Sequence, residues 1–211
     1  MSLAQQAREV FSADGPLSRA VEDYRPREGQ IRMAQAVGEA IEEGHALVVE
    51  AGTGVGKTYA YLVPALLSGD RVLISTATKA LQDQLFGRDL PGLVRVLGLP
   101  VRAALLKGRG SYLCLHRMEQ ACHGAVLPDR VSVADLSRVQ AWSRQTRWGD
   151  LAELPDLDER SPVVPLVTST RENCLDAECP RFRDCHVNLA RRNALHADVV
   201  VINHHLFFAD L

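Results

Sequence analysis

Residues 51–58 read Ala51-Gly52-Thr53-Gly54-Val55-Gly56-Lys57-Thr58, directly after the apolar run Ala46-Leu47-Val48-Val49 and before the helix-compatible stretch Tyr59 to Leu67. Strand, glycine loop and helix in that order make a cradle for nucleotide phosphates, and hence predict a phosphate-loop α/β fold. Backbone N–H groups converge on a phosphate only where side chains are absent, so the nest falls to Gly52, Gly54 and Gly56, with Ala51, Thr53 and Val55 between them. Lys57 reaches the β and γ oxygens, and Thr58 supplies a hydroxyl to Mg²⁺. The strict pattern has glycine where Ala51 stands, so the match is to the relaxed form. A plain glycine-rich turn is the competing reading, and the coincidence of strand, Gly-Lys-Thr and helix argues against it.

Outward from the loop the texture stays α/β. The helix ends near Ser68-Gly69-Asp70, and Arg71 to Thr76 reads as the next parallel strand. A helix through Ala80, Leu81, Gln84 and Leu85 follows, then a third strand at Val101 to Leu106. Upstream, Leu3, Ala7, Val10 and Phe11 keep helical spacing, and Tyr24 to Gln30 is a turn entering a helix that runs to about Glu42. Alternating strands and helices predict a parallel sheet. From Lys107 cysteines appear and helical pieces shorten, and Asp150 to Pro165 reads as an acidic, proline-punctuated surface loop. Val199-Val200-Val201-Ile202 then returns as a buried strand leading into Asn203-His204-His205-Leu206. The expected organisation is therefore residues 1–106 as the first part of the α/β domain, 107–190 as a mostly helical insertion, and 191–211 as its continuation.

A chain of 211 residues with 46% hydrophobic content buries a genuine core. Its formal charge of −2 gives no whole-molecule attraction to nucleic acid, so DNA contact needs a local basic surface. The first segment, with Leu3, Ala7, Val10 and Phe11 at helical spacing, does not read as a signal peptide, and no run reaches membrane-spanning length. An odd count of five cysteines without a secretion signal points to the reducing cytoplasm, where clustered thiols more often hold metal than form disulfides.

Cys174, Cys179 and Cys185 lie within twelve residues, and Cys114 stands far upstream beside a turn, Lys107 to Leu113, that could aim a ligand. One distant and three closely spaced thiols are nearer in kind to iron–sulfur ligation than to the paired Cys-x2-Cys of zinc ribbons, although zinc stays open. Buried unligated cysteines are a third reading. The segment's Asn173, Asp176, Glu178, Arg181, Arg183 and Asp184 make it too polar for a core. Cys122 is the alternative fourth ligand, on a helix continuing from Leu115, and His116, His123 and His186 are outside candidates for a zinc site.

Several ordered motifs together resemble one family. They are Arg27-x-x-Gln30, Glu50 to Thr58, Ser75-Thr-Ala-Thr-Lys-Ala-Leu-Gln-Asp-Gln-Leu85, Lys107-Gly-Arg-Gly-Ser-Tyr-Leu-Cys114, the cysteine triplet, and Val199 to Leu206. From Pro16 onward the chain is similar to the DinG/YoaA branch of XPD-like iron–sulfur DNA helicases, the YoaA side looking closer. The resemblance implies a first RecA-like motor domain, incomplete here, carrying an inserted iron–sulfur domain. It implies ATP, Mg²⁺ and a [4Fe–4S] cluster as cofactors, the cluster on Cys114, Cys174, Cys179 and Cys185. Gln30 resembles the glutamine that reads adenine, with Arg27 beside it, and Ser75 to Lys79 resembles the motif that touches the DNA backbone.

On that resemblance Thr76, Thr78 and Lys79 are phosphate donors at a strand end. Lys107, Arg109, Arg117, Arg181 and Arg183 are expected to form a basic track, with Tyr112 or Phe182 stacking a base. The implied activity is 5′-to-3′, ATP-dependent DNA unwinding in replication or repair. Single-stranded or forked DNA is the implied substrate and a replication or repair protein the implied partner, with no membrane. The sequence stops at Leu211 before any Asp-Glu-Ala-His box, and Asp198 and Asp210 do not replace one. The expectation is thus the N-terminal piece of a longer helicase, inactive in hydrolysis by itself. Two other classes remain: a non-catalytic nucleic-acid-binding metal module, and a zinc-bearing phosphate-loop protein.

Overall fold

The structure, a computed structural model, describes residues 1–209. Asp210, discounted above as a substitute acid, and Leu211 lie outside the described residues. The chain divides into two compact units, one formed by Met1–Leu105 with His196–Ala209, the other by Leu106–Leu195.

In the first unit, helix α1 (Leu3–Val10) opens with Ser2 accepting from the Gln5 N–H while the Gln5 side chain accepts from the Ser2 N–H, so the first turn leaves fewer orphan donors. Its buried face, Leu3, Ala4, Ala7 and Val10, recurs at three- and four-residue spacing. After the short α2 (Pro16–Ala20), α3 (Glu28–Glu43) crosses α1 closely. A Cβ at Gly38 would stand 2.9 Å from the Ala4 nitrogen, so glycine is what lets the two backbones approach. Helix α4 (Lys57–Leu67) follows the phosphate loop. Strand β1 (Val72–Thr76) leads through Thr78, whose hydroxyl caps Leu81 N–H at 3.2 Å, into α5 (Lys79–Gln84). A π-helical turn over Leu85–Asp89 joins it to α6 (Leu90–Leu97), and β2 (Ala103–Leu105) comes next.

The sheet is three-stranded and parallel in the order β1, β3, β2. Strand β3 (Val199–Asn203), last in sequence, lies in the middle, with Leu73 opposite Val200 and Ala104 opposite Val200 on the other side. The chain leaves the sheet after β2, builds the second unit, and returns to fill the gap between two strands already laid down. Val199 to Ile202 are all buried, which is why this strand reads as a continuous apolar run. Phe11, Leu17, Leu62, Val63, Leu90, Leu93 and Val201 form the core beneath it.

One sequence expectation fails here. Ala46 to Val49, read as the strand before the glycine loop, forms no ladder, and Val48 is 97% exposed. Apolar β-branched residues favour a strand only when a neighbour accepts their N–H and C=O groups. Among the described residues the sheet offers this segment no such neighbour.

The second unit is helical: α7 (Leu115–Gly124), α8 (Arg130–Trp142), the short α9 (Val164–Val167) and α10 (His186–Leu195). Leu113, Met118, Leu136, Val139, Leu154, Val163 and Val167 make its core. The stretch Asp150 to Pro165 is accordingly more than a surface loop, because Leu154 and Val163 are buried in that core. Ser161 donates at 2.7 Å to buried Asp135. The acids and prolines of that stretch mask apolar residues placed to point inward. Helix α11 (His204–Ala209), in the first unit, closes the described chain.

Candidate functional site

The phosphate loop is shaped by two left-handed glycines, Gly54 at φ 82° and Gly56 at φ 88°. Buried Gln30 donates its amide N–H to the Gly56 carbonyl at 2.9 Å, and the Arg27 guanidinium donates to the Gly54 carbonyl. A Cβ at Gly56 would fall 2.2 Å from Gln30 Nε2, so Gly56 is required by conformation and by contact together. Lys57, the first residue of α4, folds its ammonium back onto the Ala51 and Gly52 carbonyls at 2.8 and 2.9 Å. The N–H groups at the start of an eleven-residue helix, with a lysine held over the loop, form an anion site. Thr58 is half-buried one residue on, and it lowers the pKa of the Tyr61 phenol that burial pushes up. Gln30 and Arg27 both grip the loop itself.

At the carboxyl end of the sheet, Ser75 Oγ and His204 Nδ1 meet at 2.6 Å, although they are far apart in sequence. The parallel register, Ser75 opposite Ile202 and Thr76 opposite Asn203, brings them together. Thr76 donates to the Thr78 and Ile202 carbonyls at 3.2 and 3.4 Å, while Thr78 and Lys79 are exposed at the start of α5. His204 was no candidate from the sequence; its only signal was a polar cluster straight after a buried strand.

In the second unit the four thiols of Cys114, Cys174, Cys179 and Cys185 are neighbours, and all are half-buried. Burial pushes the Cys114 thiol up, the Arg117 backbone N–H lowers it, and the thiolates of Cys179, Cys185 and Cys174 raise it by repulsion. Cys114 precedes α7, and its N–H donates to the Val167 carbonyl at 2.7 Å. Cys179 and Cys185 each end a 3-10 turn, Asp176–Glu178 and Phe182–Asp184. Cys122 is exposed further along α7, and the charge acting on its thiol is that of Glu119. Four convergent soft donors fit an iron–sulfur group or zinc. Among the described residues, no three His, Cys, Asp or Glu side chains are gathered tightly enough to hold an ion as the chain stands. His186, next to Cys185, is buried, and among the described residues neither ring nitrogen finds a partner.

The expected basic track needs correction. Lys107 is buried, its ammonium 2.7 Å from Asp150, so it neutralises an internal carboxylate and is not offered to DNA. Tyr112 is buried too, its phenol oxygen accepting the Lys107 N–H at 3.0 Å, so its ring cannot stack a base. Arg109 pairs with Asp176 at 3.3 Å, and Arg181 pairs with Glu119 and with Asp184. Arg117 donates to the Pro165 carbonyl at 3.0 Å. Arg183 and Phe182 are exposed.

Comparison with known proteins adds an independent line. Residues 32–111 match the DEAD/DEAH box helicase family. The chain is 50% identical over 211 residues to the ATP-dependent DNA helicase YoaA of Haemophilus influenzae, covering all of this chain and 33% of that protein. It is 52% identical over 202 residues to the protein of that name from Escherichia coli, covering 95% of this chain and 32% of the relative. With the ATP-dependent helicase DinG of Mycobacterium tuberculosis it shares 44% over 206 residues, 87% of this chain and 31% of the other. The chain thus spans about a third of the length of the curated relatives it matches.

Proposed function

From the premise that the chain is of the DinG/YoaA helicase type, we propose that it is the nucleotide-gripping, metal-bearing part of an enzyme that spends ATP to move 5′-to-3′ on single-stranded or forked DNA. The observation that carries the reading is the phosphate loop, two left-handed glycines held by Gln30 and Arg27 with Lys57 poised over them, in a chain half-identical to such helicases along its whole length. In this reading Gly52 to Gly56 cradle the phosphates, Lys57 swings from the loop carbonyls to the β and γ oxygens, Thr58 turns its hydroxyl to Mg²⁺, and Gln30 meets adenine while steadying Gly56. Thr76, Thr78 and Lys79 hold backbone phosphates at the strand ends, and Arg109, Arg181 and Arg183 add charge in the second unit.

The four converging thiols, Cys114, Cys174, Cys179 and Cys185, hold a [4Fe–4S] cluster in this proposal. When bound, the cluster supplies a covalent tie across the second unit and a site able to take up or release one electron. The chain's own contribution is to aim the thiols: α7 presents Cys114, and the two 3-10 turns present Cys179 and Cys185. Work on DNA in replication or repair, in the cytoplasm and with a protein partner from those processes, completes the reading.

The test uses the native protein that contains these residues. Strand separation on a forked duplex with a 5′ overhang should require ATP and Mg²⁺ and be abolished by Lys57→Ala. ATP-independent separation, or none on any overhang by protein that binds ATP and DNA, would refute the proposal.

A further inference from the structure

The segment Ser143-Arg144-Gln145-Thr146-Arg147-Trp148, after α8, contains two arginines and no acid in a chain of net charge −2. The Arg147 guanidinium lies over the Trp148 ring, 4.6 Å from its centroid, and Arg144, Arg147 and Trp148 are all exposed. An indole left 40% exposed is unusual, since its large apolar face is normally covered. We propose that Trp148, with Arg147 stacked on it, is a base-stacking platform for single-stranded DNA beside the cysteine centre. This rests on the reading of the protein as DNA-acting.

The platform is mounted rigidly. Gln145 and Thr146 N–H groups donate to the Trp142 carbonyl at 2.9 and 3.0 Å, which ties the start of the loop to the end of α8. Thr146 Oγ1 accepts the Gly149 N–H at 2.8 Å and donates to Glu153 at 3.3 Å. Gly149 has φ 67°, and a Cβ there would meet the His186 ring at 2.3 Å, so the backbone lies flat on His186, the residue after Cys185. The Gly149 carbonyl accepts from Leu113 at 2.7 Å, the residue before Cys114. Asp150 then locks onto Lys107 at 2.7 Å. The residue following Trp148 therefore touches the immediate neighbours of two of the four thiols. A side chain so held loses little freedom on binding.

Tryptophan beside arginine suits single strands, because every base has a π-face and the guanidinium both extends the stack and faces the adjacent phosphate. An exposed Trp–Arg pair is also a common protein-contact anchor, but the acid-free, doubly basic segment favours a polyanion.

The experiment measures binding of the anaerobically purified 211-residue chain to labelled oligothymidylate and to an abasic strand of equal length. Trp148→Ala should weaken oligothymidylate binding about 5- to 100-fold, the range of one lost base–aromatic stack, and leave the abasic strand almost unaffected. Trp148→Phe, which keeps a ring, should fall between. In a Trp142→Phe background, where Trp148 is the remaining indole, oligothymidylate should quench its fluorescence and the abasic strand should not. Equal affinities of wild type and Trp148→Ala for oligothymidylate, or equal losses on both strands, would overturn the proposal while sparing the wider reading. Loss of a protein association by Trp148→Ala with DNA affinity unchanged would overturn it in favour of a protein contact. No single-strand binding by the wild type at all would overturn the platform, while the wider reading is tested separately by strand separation with the native protein.

Discussion

Replacing Lys107 separates the two roles open to a basic residue in the second unit. Its side chain is 4% exposed and its ammonium is 2.7 Å from Asp150, itself 12% exposed. Lys107→Met fills nearly the same volume but leaves the Asp150 carboxylate without its cation, and breaking one half of a buried pair costs about 3–5 kcal/mol. The Ala152 N–H, donating to Asp150 at 3.1 Å, offsets part of the loss, which places this variant near the lower figure. Asp150→Asn takes the carboxylate from a buried ammonium and belongs nearer the upper one. With a urea dependence of about 2 kcal/mol/M for a unit of this size, a loss of about 3 kcal/mol moves the unfolding midpoint by about 1.5 M. Both tryptophans, Trp142 and Trp148, lie in this unit, so intrinsic fluorescence reports its unfolding directly. The paired change Lys107→Met with Asp150→Leu removes both charges and should recover most of the loss. An unchanged midpoint in Lys107→Met together with weakened DNA binding would refute the reasoning and return Lys107 to the DNA surface.

Gly56→Ala places a methyl 2.2 Å from Gln30 Nε2 at φ 88°, so nucleotide binding, followed by calorimetry, should fall below detection while the circular dichroism of the rest of the chain persists. Arg183→Glu reverses an exposed charge in the cysteine segment and should lower single-strand affinity and flatten its salt dependence; anisotropy at two salt concentrations checks this. Arg102, by hydrogen bonds and charge, holds the Asp198 carboxyl below the usual carboxylate range. Its contribution to stability is therefore present above the unfolded pKa and lost as pH falls through the depressed folded one. Asp198→Asn should be less stable than wild type at neutral pH, and acid titration should bring the two curves together.

Where local chemistry is sufficient, the sequence could be read directly. Val72–Thr76 and Val199–Asn203 are apolar enough to be strands on either reading of their surroundings, and Gly54 and Gly56 take the left-handed conformations that their motif requires. Where the outcome depends on a distant partner, it could not. Ala46 to Val49 has strand composition but no ladder partner among the described residues, and an apolar run does not announce its neighbour. Lys107 and Tyr112 looked like a DNA surface because charge and aromaticity in sequence carry no sign of burial, and the deciding residue, Asp150, stood in a stretch read as solvent-exposed. Ser75 and His204 meet only because β3, which follows the second unit in the chain, pairs with β1. The arrangement of Trp148 was hidden for a similar reason, since its mount depends on Leu113, Lys107 and His186.

The most direct test of the account is the metal content of anaerobically purified protein, measured for the wild type and for serine variants of each cysteine. The four neighbouring thiols predict a brown protein with about four irons per chain. Cys114→Ser, Cys174→Ser, Cys179→Ser and Cys185→Ser should each lose colour and iron, while Cys122→Ser, changed at an exposed thiol beside Glu119, should keep both. One equivalent of zinc without iron, or iron that survives Cys114→Ser and disappears with Cys122→Ser, would contradict it.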